Sequence, residues 1–358
     1  MKAIPYVSFC ISAYHRREML GELVNHLLSV PNDDIEVIVM DDCSGDGTME
    51  MLEQIKDKRL RKFCEEEHSG GALCWYDALE RGNGVWLFQI IDRDWIDITQ
   101  INKLIDVLHR LEEMDVGFAV AGEKLSEAEE YQIYGEGMQT INEFGLRYSH
   151  PTGQIFRKKK WDAIEGKRKF FAEEKYGIYP HGYLYAVMGN FLKGAYLLFD
   201  ICDKAHYNQR LARTISTVYA SRKDKKEWFW LESRFGLLKL ACENIGLVQD
   251  TSLYTNLILE KYILFFFSVT REWYYNCHNE ILKRRYGRPE MSTNYIELMI
   301  NGFDYIALFR EYLEERGFWW ADASFYAALS GVDGQLTQWL IKWTEELRIK
   351  DGYGRRPF

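Results

Sequence analysis

Residues 35–48 read IEVIVMDDCSGDGT. The first six are apolar and β-favouring apart from Glu36, which predicts a strand over Ile35–Met40. Two carboxylates, Asp41 and Asp42, then meet small residues suited to a tight turn, and Asp46-Gly47-Thr48 has the composition of a helix start. A strand that runs through a polar turn into a helix is half of a β-α-β unit, so the flanking sequence decides whether the unit repeats.

It does repeat. Further strand candidates are Tyr6–Ile11, Leu60–Cys64, Val85–Ile91 and Val116–Ala121. Between them Met19, Leu20, Leu23, Val24, Leu27 and Leu28 recur at helical spacing, as do Ile101, Leu104, Ile105, Leu108 and Leu111 behind an expected Thr99 N-cap. Residues 5–122 therefore predict an α/β sheet, mostly parallel, with crossover helices. Residues 123–207 are irregular and contain HPTGQIF, the basic run RKKKW and YGIYPHGYL. Beyond them the periodicity is helical, through EWFWLESRFGLLKLACENIG, NLILEKYILFFFSVTREWYYNCHNEILKRRYG, NYIELMINGFDYIALFREYLEERG and GQLTQWLIKWTEELRI. The expected organisation is an α/β domain over 1–207, with halves 1–122 and 123–207, followed by a helical region over 208–358.

Composition narrows the partners. Acidic residues outnumber basic ones 54 to 45, a net charge of −9, which argues against nucleic acid because duplex binding needs a concentrated positive surface. The seven cysteines form no CxxC pair, so neither a zinc module nor a disulfide framework is expected, and a cytoplasmic setting fits. The opening MKAIPYVSF lacks the apolar core of a signal peptide, and the run Tyr262–Val269 is far short of the roughly 20 residues that span a bilayer. Basic clusters at Arg157–Lys160, Lys167–Lys169, Arg222–Lys226 and Lys283–Arg285 would favour peripheral contact with anionic lipid if they share a surface, and are otherwise solvated faces. The tryptophans and tyrosines of the C-terminal region suit a helix–helix core or a homo-oligomer interface.

In open α/β sheets ligands bind beyond the carboxyl ends of the strands. The loops there are Ser12-Ala13-Tyr14-His15-Arg16, residues 41–48, and Asp92-Arg93-Asp94-Trp95. Two carboxylates one residue apart at a strand end can hold Mn²⁺ or Mg²⁺ against a diphosphate, although a solvated turn uses the same residues. No GxGxxG or P-loop is present, which disfavours dehydrogenase and kinase chemistry, and no Gly-rich basic loop follows the first strand, which disfavours a sugar nucleotidyltransferase.

The ordered segments VSFCISAYHRREMLGELVNHLL, IEVIVMDDCSGDGT and HSGGALCWYDALERGNGVWLFQIIDRDWI resemble the family 2 glycosyltransferases, inverting enzymes of the GT-A fold that use nucleotide-sugars. The resemblance implies a UDP-sugar donor, a divalent metal and a glycan, lipid-linked or glycoprotein acceptor. It places Ser12, Ala13 and Tyr14 at the nucleobase with Arg16 nearby, and Asp42 at uracil or ribose, with Asp41 there or supporting the loop. It places Gly70 where the backbone approaches the nucleotide, Asp94 on the metal, Asp92 on metal or sugar, and Arg93 beside the diphosphate. His68 departs from the Asn more usual in the family at that position. Trp95 is a candidate to stack on an acceptor sugar, with core packing as the alternative. The family's catalytic carboxylate is missing from YPHGYLYAVMGNFLKG, where His181-Gly182 stands instead. The candidate bases are therefore His181, whose imidazole titrates near neutrality, and Glu173 or Glu174 just upstream; Asp200 and Asp203 are weaker choices. A protein that binds nucleotide without transferring sugar is the other reading of that departure.

Overall fold

The computed structural model describes residues 4–122, 124–144, 150–172, 180–203, 235, 238–239, 242, 256, 258–267, 270 and 295–350. The chain divides into two compact units, residues 1–222 and 223–358. The expected boundary at 207/208 lies outside the described residues.

The first unit is built on an eight-stranded sheet: β1 (Val7–Ala13), β2 (Ile35–Asp41), β3 (Leu60–Cys64), β4 (Trp86–Ile91), β5 (Val116–Ala121), β6 (Tyr131–Tyr134), β7 (Gln154–Arg157) and β8 (Lys193–Leu197). Their spatial order is β3-β2-β1-β4-β7-β5-β8-β6. The strands β3, β2, β1 and β4 run parallel, as the near-continuous apolar sequences of β1, β2 and β4 require of strands covered on both faces. Beyond β4 the sheet is mixed. The short strand β7 enters antiparallel between β4 and β5, β8 pairs parallel with β5, and β6 closes the far edge antiparallel to β8. At the other edge β3 carries Arg61 and Lys62, charges that discourage pairing with a further strand.

The helices α1 (Arg17–Leu28), α2 (Thr48–Gln54), α3 (Gly71–Glu80) and α4 (Ile101–Glu113) connect the parallel strands. Leu20, Leu23, Val24 and Leu27 of α1 and Ile101, Leu104, Ile105, Leu108 and Leu111 of α4 join Phe9, Ile11, Val37, Val39, Phe88 and Ile90 in one core, as their spacing predicts. Thr99 is not the cap of α4. It lies in a 3-10 turn, Ile98–Gln100, capped by Asp97, whose carboxylate accepts from Thr99 N at 3.0 Å and Thr99 Oγ1 at 2.6 Å. An aspartate two residues earlier is the better acceptor for the orphan donors of that turn. Four shorter helices, α5 (Met138–Phe144), α6 (Lys158–Asp162), α7 (Arg168–Ala172) and α8 (Pro180–Gly189), follow.

In the second unit α9 (Tyr295–Arg316) and α10 (Ala323–Lys350) meet residues of the helical segment 258–267. Tyr262 stacks on Phe309 with ring centroids 4.4 Å apart, and Trp339 packs edge-on to Phe267 at 4.5 Å. The aromatic content read as helix–helix core serves that purpose at these positions. Trp228, Trp230, Trp273 and Tyr274 lie outside the described residues. Among the described residues no helix is long and apolar enough to cross a membrane.

Candidate active site

The carboxyl ends of β1, β2 and β4 bring the three polar loops to one edge of the sheet, and hydrogen bonds to buried carboxylates tie them together. Asp41 ends β2 and accepts from Ser44 N at 3.1 Å and Ser44 Oγ at 2.5 Å, which closes the turn. Ser44 Oγ in turn accepts from His15 N at 2.9 Å and so anchors the β1 loop to the β2 loop. Tight geometry is visible in the backbone, where His15 and Cys43 adopt φ of 51° and 56°, in the left-handed region that side chains rarely occupy. Asp46 Oδ1 accepts from Thr48 N and Oγ1, at 3.1 and 2.5 Å, and starts α2.

Asp42 is buried and turned towards a fourth loop, between β3 and α3. Its Oδ1 accepts from Ser69 N at 2.7 Å and Ser69 Oγ at 2.9 Å, and its Oδ2 accepts from Gly70 N at 3.0 Å. His68 Nδ1 lies 2.9 Å from the same Oδ2. Gly70 has φ of 93°, and open space surrounds the position where a Cβ would stand.

Asp92 is fully buried. It accepts from Tyr14 N at 3.0 Å and forms an ion pair with Arg16 Nη1 at 2.7 Å, which fixes the β1 loop against the β4 loop. Ser12 O accepts from Asp92 N at 3.2 Å, and Ala13 O accepts from Asp42 N at 2.9 Å, so both residues contribute backbone to the same edge. Burial raises the pKa of Asp92, and the Arg16 charge and the Tyr14 N–H offset this only in part.

Asp94 is also buried but is surrounded differently. Oδ2 accepts from Thr152 Oγ1 and lies 2.7 Å from His150 Nε2. Oδ1 is buried with no hydrogen-bond partner, and Arg93 Nε is 4.0 Å from it. Burial works to raise the pKa of Asp94, but His150, Arg93 and Thr152 together outweigh it and hold the carboxyl below its ordinary value. His150 and Thr152 reach Asp94 because the turn before β7 is pinned: Gly153 N donates to Gln89 O at 3.1 Å, and Gly153 O accepts from Ala121 N at 2.8 Å. Gly153 has φ of 95°, and a Cβ there would stand 2.6 Å from Ala121 O, so only glycine fits.

These donors suit a divalent cation. Two ligands of one ion, each about 2.1 Å from it at a right angle, stand about 3 Å apart, close to the His150–Asp94 spacing. A carboxylate with a spare buried oxygen and an imidazole form the oxygen and nitrogen set that Mn²⁺ accepts. Among the described residues no group of three or more His, Cys, Asp or Glu side chains is arranged to hold a metal. Further ligands would then come from phosphate oxygens and water.

Trp95 stacks on His26 of α1, with centroids 4.1 Å apart and planes 19° from parallel, and packs against the core. His181 is the second residue of α8, in its first turn. Glu173 and Glu174 lie outside the described residues. Asp200 is exposed, and Asp203 N donates to Trp95 O at 3.0 Å. The basic run Arg157–Lys160 is largely paired: Arg157 with Glu112 and Asp115, Lys158 with Asp162, and Lys160 with Asp115. Lys167 lies 3.4 Å from Glu80. These side chains carry counter-charges, whereas Lys159, Arg168 and Lys169 of the same clusters are exposed. The clusters at 222–226 and 283–285 lie outside the described residues. The sequence does not single out His150 and Thr152 within HPTGQIF, because a histidine and a hydroxyl before a short apolar run carry no local signal of a partner 56 and 58 residues away.

Residues 8–167 match the model of Glycosyl transferase family 2, and this part of the chain belongs to that family. A Bacillus subtilis protein, named as the teichuronic acid biosynthesis glycosyltransferase TuaG, is 32% identical over 123 residues, which cover 34% of this chain and 48% of that protein. The chain therefore aligns with about half the length of that relative. The abequosyltransferase RfbV of Salmonella typhimurium is 24% identical over 290 residues, 72% of this chain and 84% of that one. Among solved structures, the mannosyltransferase PcManGT of Pyrobaculum calidifontis, in complex with GDP-Man and Mn²⁺, aligns over 97% of this chain and 87% of its own, with 13% identity and a TM-score of 0.49.

Proposed function

We propose that the protein is a metal-dependent, inverting glycosyltransferase that moves a sugar from a nucleotide-sugar, by preference a UDP-sugar, to a glycan, lipid-linked or glycoprotein acceptor. The observation that carries the proposal is Asp94, a buried carboxylate with one oxygen that accepts no hydrogen bond, beside His150 at the carboxyl edge of a family 2 domain. Asp94 and His150 would hold a divalent ion, which supplies neutralisation of charge on the departing diphosphate. Arg16, oriented by Asp92, adds a fixed positive charge to the same edge and needs no reorganisation as the diphosphate leaves. Arg93, with Nε 4.0 Å from Asp94 Oδ1, serves the diphosphate beside the proposed ion. His181 takes the proton of the acceptor hydroxyl as that oxygen attacks the anomeric carbon and the bond to the diphosphate breaks; Glu173 or Glu174 is the alternative base. The name of TuaG supports polysaccharide synthesis as the setting, that of RfbV supports sugar transfer, and the scattered cysteines support the cytoplasm.

Calorimetric titration of UDP and GDP with and without Mn²⁺, on the wild-type chain and on Asp94→Ala, tests the donor site. Metal-dependent binding lost in the variant is the expected result, and absence of nucleotide binding under every condition refutes the proposal. The missing carboxylate at His181-Gly182 favours one other reading, a binding protein without transfer. Turnover of any UDP-sugar with any acceptor rejects that reading, and full turnover by His181→Ala passes the role of base to Glu173 or Glu174.

A further inference from the structure

Tyr14 stands at the nucleotide end of the proposed donor site, and another ring already covers it. His68 lies on Tyr14 with centroids 4.2 Å apart and planes 20° from parallel, and His15 meets Tyr14 edgewise at 4.2 Å and 64°. A nucleobase stacked directly on Tyr14 would compete with His68 for ring surface. His68 is held in place. Its Nδ1 lies 2.9 Å from Asp42 Oδ2, and the same carboxylate binds the next two residues through Ser69 N, Ser69 Oγ and Gly70 N. These contacts engage both oxygens of Asp42, which is 1% exposed and so turned into the protein. The His68 side chain, by contrast, is 47% exposed, a planar ring with Tyr14 stacked against it and about half of its surface in solvent.

We propose that His68 is the nucleobase-stacking residue of this chain, with Tyr14 as its backing ring and Asp42 as a positioning residue that acts through His68 and the 68–70 loop. The inference rests on the donor-binding reading above and deepens it. It gives Asp42 a task other than contact with the base or ribose, and it gives the departure from Asn a purpose, since imidazole has a π-face to offer and a carboxamide side chain has no ring. Stacking of this kind tolerates any base, so His68 sets affinity for the nucleoside more than its identity.

The test compares wild type, His68→Ala, His68→Asn and His68→Phe by calorimetry in Mn²⁺, using UDP, GDP and inorganic pyrophosphate as separate ligands. His68→Ala and His68→Asn are expected to weaken the nucleotide that wild type prefers by about 10-fold. Pyrophosphate, which has no base, binds all four proteins within about 2-fold, and His68→Phe stays within about 3-fold of wild type for the nucleotide because it keeps a ring. Unchanged nucleotide affinity in His68→Ala overturns the proposal and leaves the donor-binding reading standing. Equal loss of nucleotide and pyrophosphate in every variant also overturns it, since that pattern marks a structural role. Failure of wild type to bind any of the nucleotides removes the donor-binding reading and this inference with it.

Discussion

Asp94 in the sheet unit and Asp333 in the helical unit are both buried carboxylates with a cationic side chain nearby, yet their hydrogen bonding separates them. Asp333 spends both oxygens inside the protein: Oδ1 accepts from Tyr262 Oη at 2.8 Å, and Oδ2 accepts from Arg310 Nε at 2.6 Å and lies 2.5 Å from Arg310 Nη2. Asp94 spends only Oδ2 and leaves Oδ1 buried without a hydrogen-bond partner. A buried carboxylate oxygen left unpaired costs free energy that the fold must offset elsewhere, so it is tolerated chiefly where a ligand completes it. Saturation marks a carboxylate that holds helices together, and residual capacity marks one that awaits something else.

Breaking the two centres should therefore give opposite phenotypes. Asp94→Ala is expected to abolish the Mn²⁺ dependence of UDP binding and to lower sugar transfer by about 1,000-fold, or ~4 kcal/mol of transition-state stabilisation, with the fold retained by circular dichroism. Metal-dependent binding that survives in Asp94→Ala would erase the distinction. Asp333→Ala should do the reverse. It removes the acceptor of the buried Tyr262 hydroxyl and one partner of a part-buried ion pair, while Arg310 keeps its hydrogen bond to Ser330 Oγ, at a cost of about 2 kcal/mol to the helical unit. Hydrogen exchange should speed up in α9, α10 and residues 258–267, while UDP affinity stays at the wild-type value. A loss of UDP binding in Asp333→Ala would show that this carboxylate has a role beyond holding its own helices.

The same contrast explains what sequence could and could not reveal. The strands Leu60–Cys64 and Val116–Ala121 match their expected bounds, and the other three of the N-terminal half begin or end within two residues of them, because apolar runs between turn residues are a local signal. The pair Asp92 and Asp94 was likewise legible, as carboxylates at the end of such a run. The chemical difference between the two was not. It depends on β7, a four-residue strand that enters antiparallel between β4 and β5 and brings His150 and Thr152 to Asp94 while Arg16 and Tyr14 meet Asp92. No period reveals a strand that short, and no spacing reveals which loop it delivers. The engagement of Asp42 by Ser69 and Gly70 was hidden for the same reason, since the β2 turn and the α3 entry meet only in the folded sheet.

A third carboxylate sharpens the comparison at the smallest scale. Asp57 is partly exposed, yet Arg59 engages both of its oxygens, with Nε 3.1 Å from Oδ1 and Nη2 2.8 Å from Oδ2. Arg59 also donates to Leu28 O, Val30 O and Asn32 O, so it fastens the end of α1 to the entry of β3. The hydrogen bond from Arg59 is the main cause that lowers the Asp57 pKa, and burial opposes it only in part. A carboxyl whose folded pKa lies below its unfolded value, near 3.9, stabilises the fold fully above that value and loses the contribution as pH falls through the folded pKa. Arg59→Gln should therefore cost about 1 kcal/mol at pH 7 and flatten the dependence of stability on pH below about 4. Urea denaturation of both proteins at pH 7, 4 and 3 measures the effect. An acid dependence identical in wild type and Arg59→Gln would mean that the Asp57 contacts contribute nothing to folding. Engagement of both oxygens would then mark a structural carboxylate only in the interior, where Asp94 and Asp333 stand, and not at a partly exposed position such as Asp57.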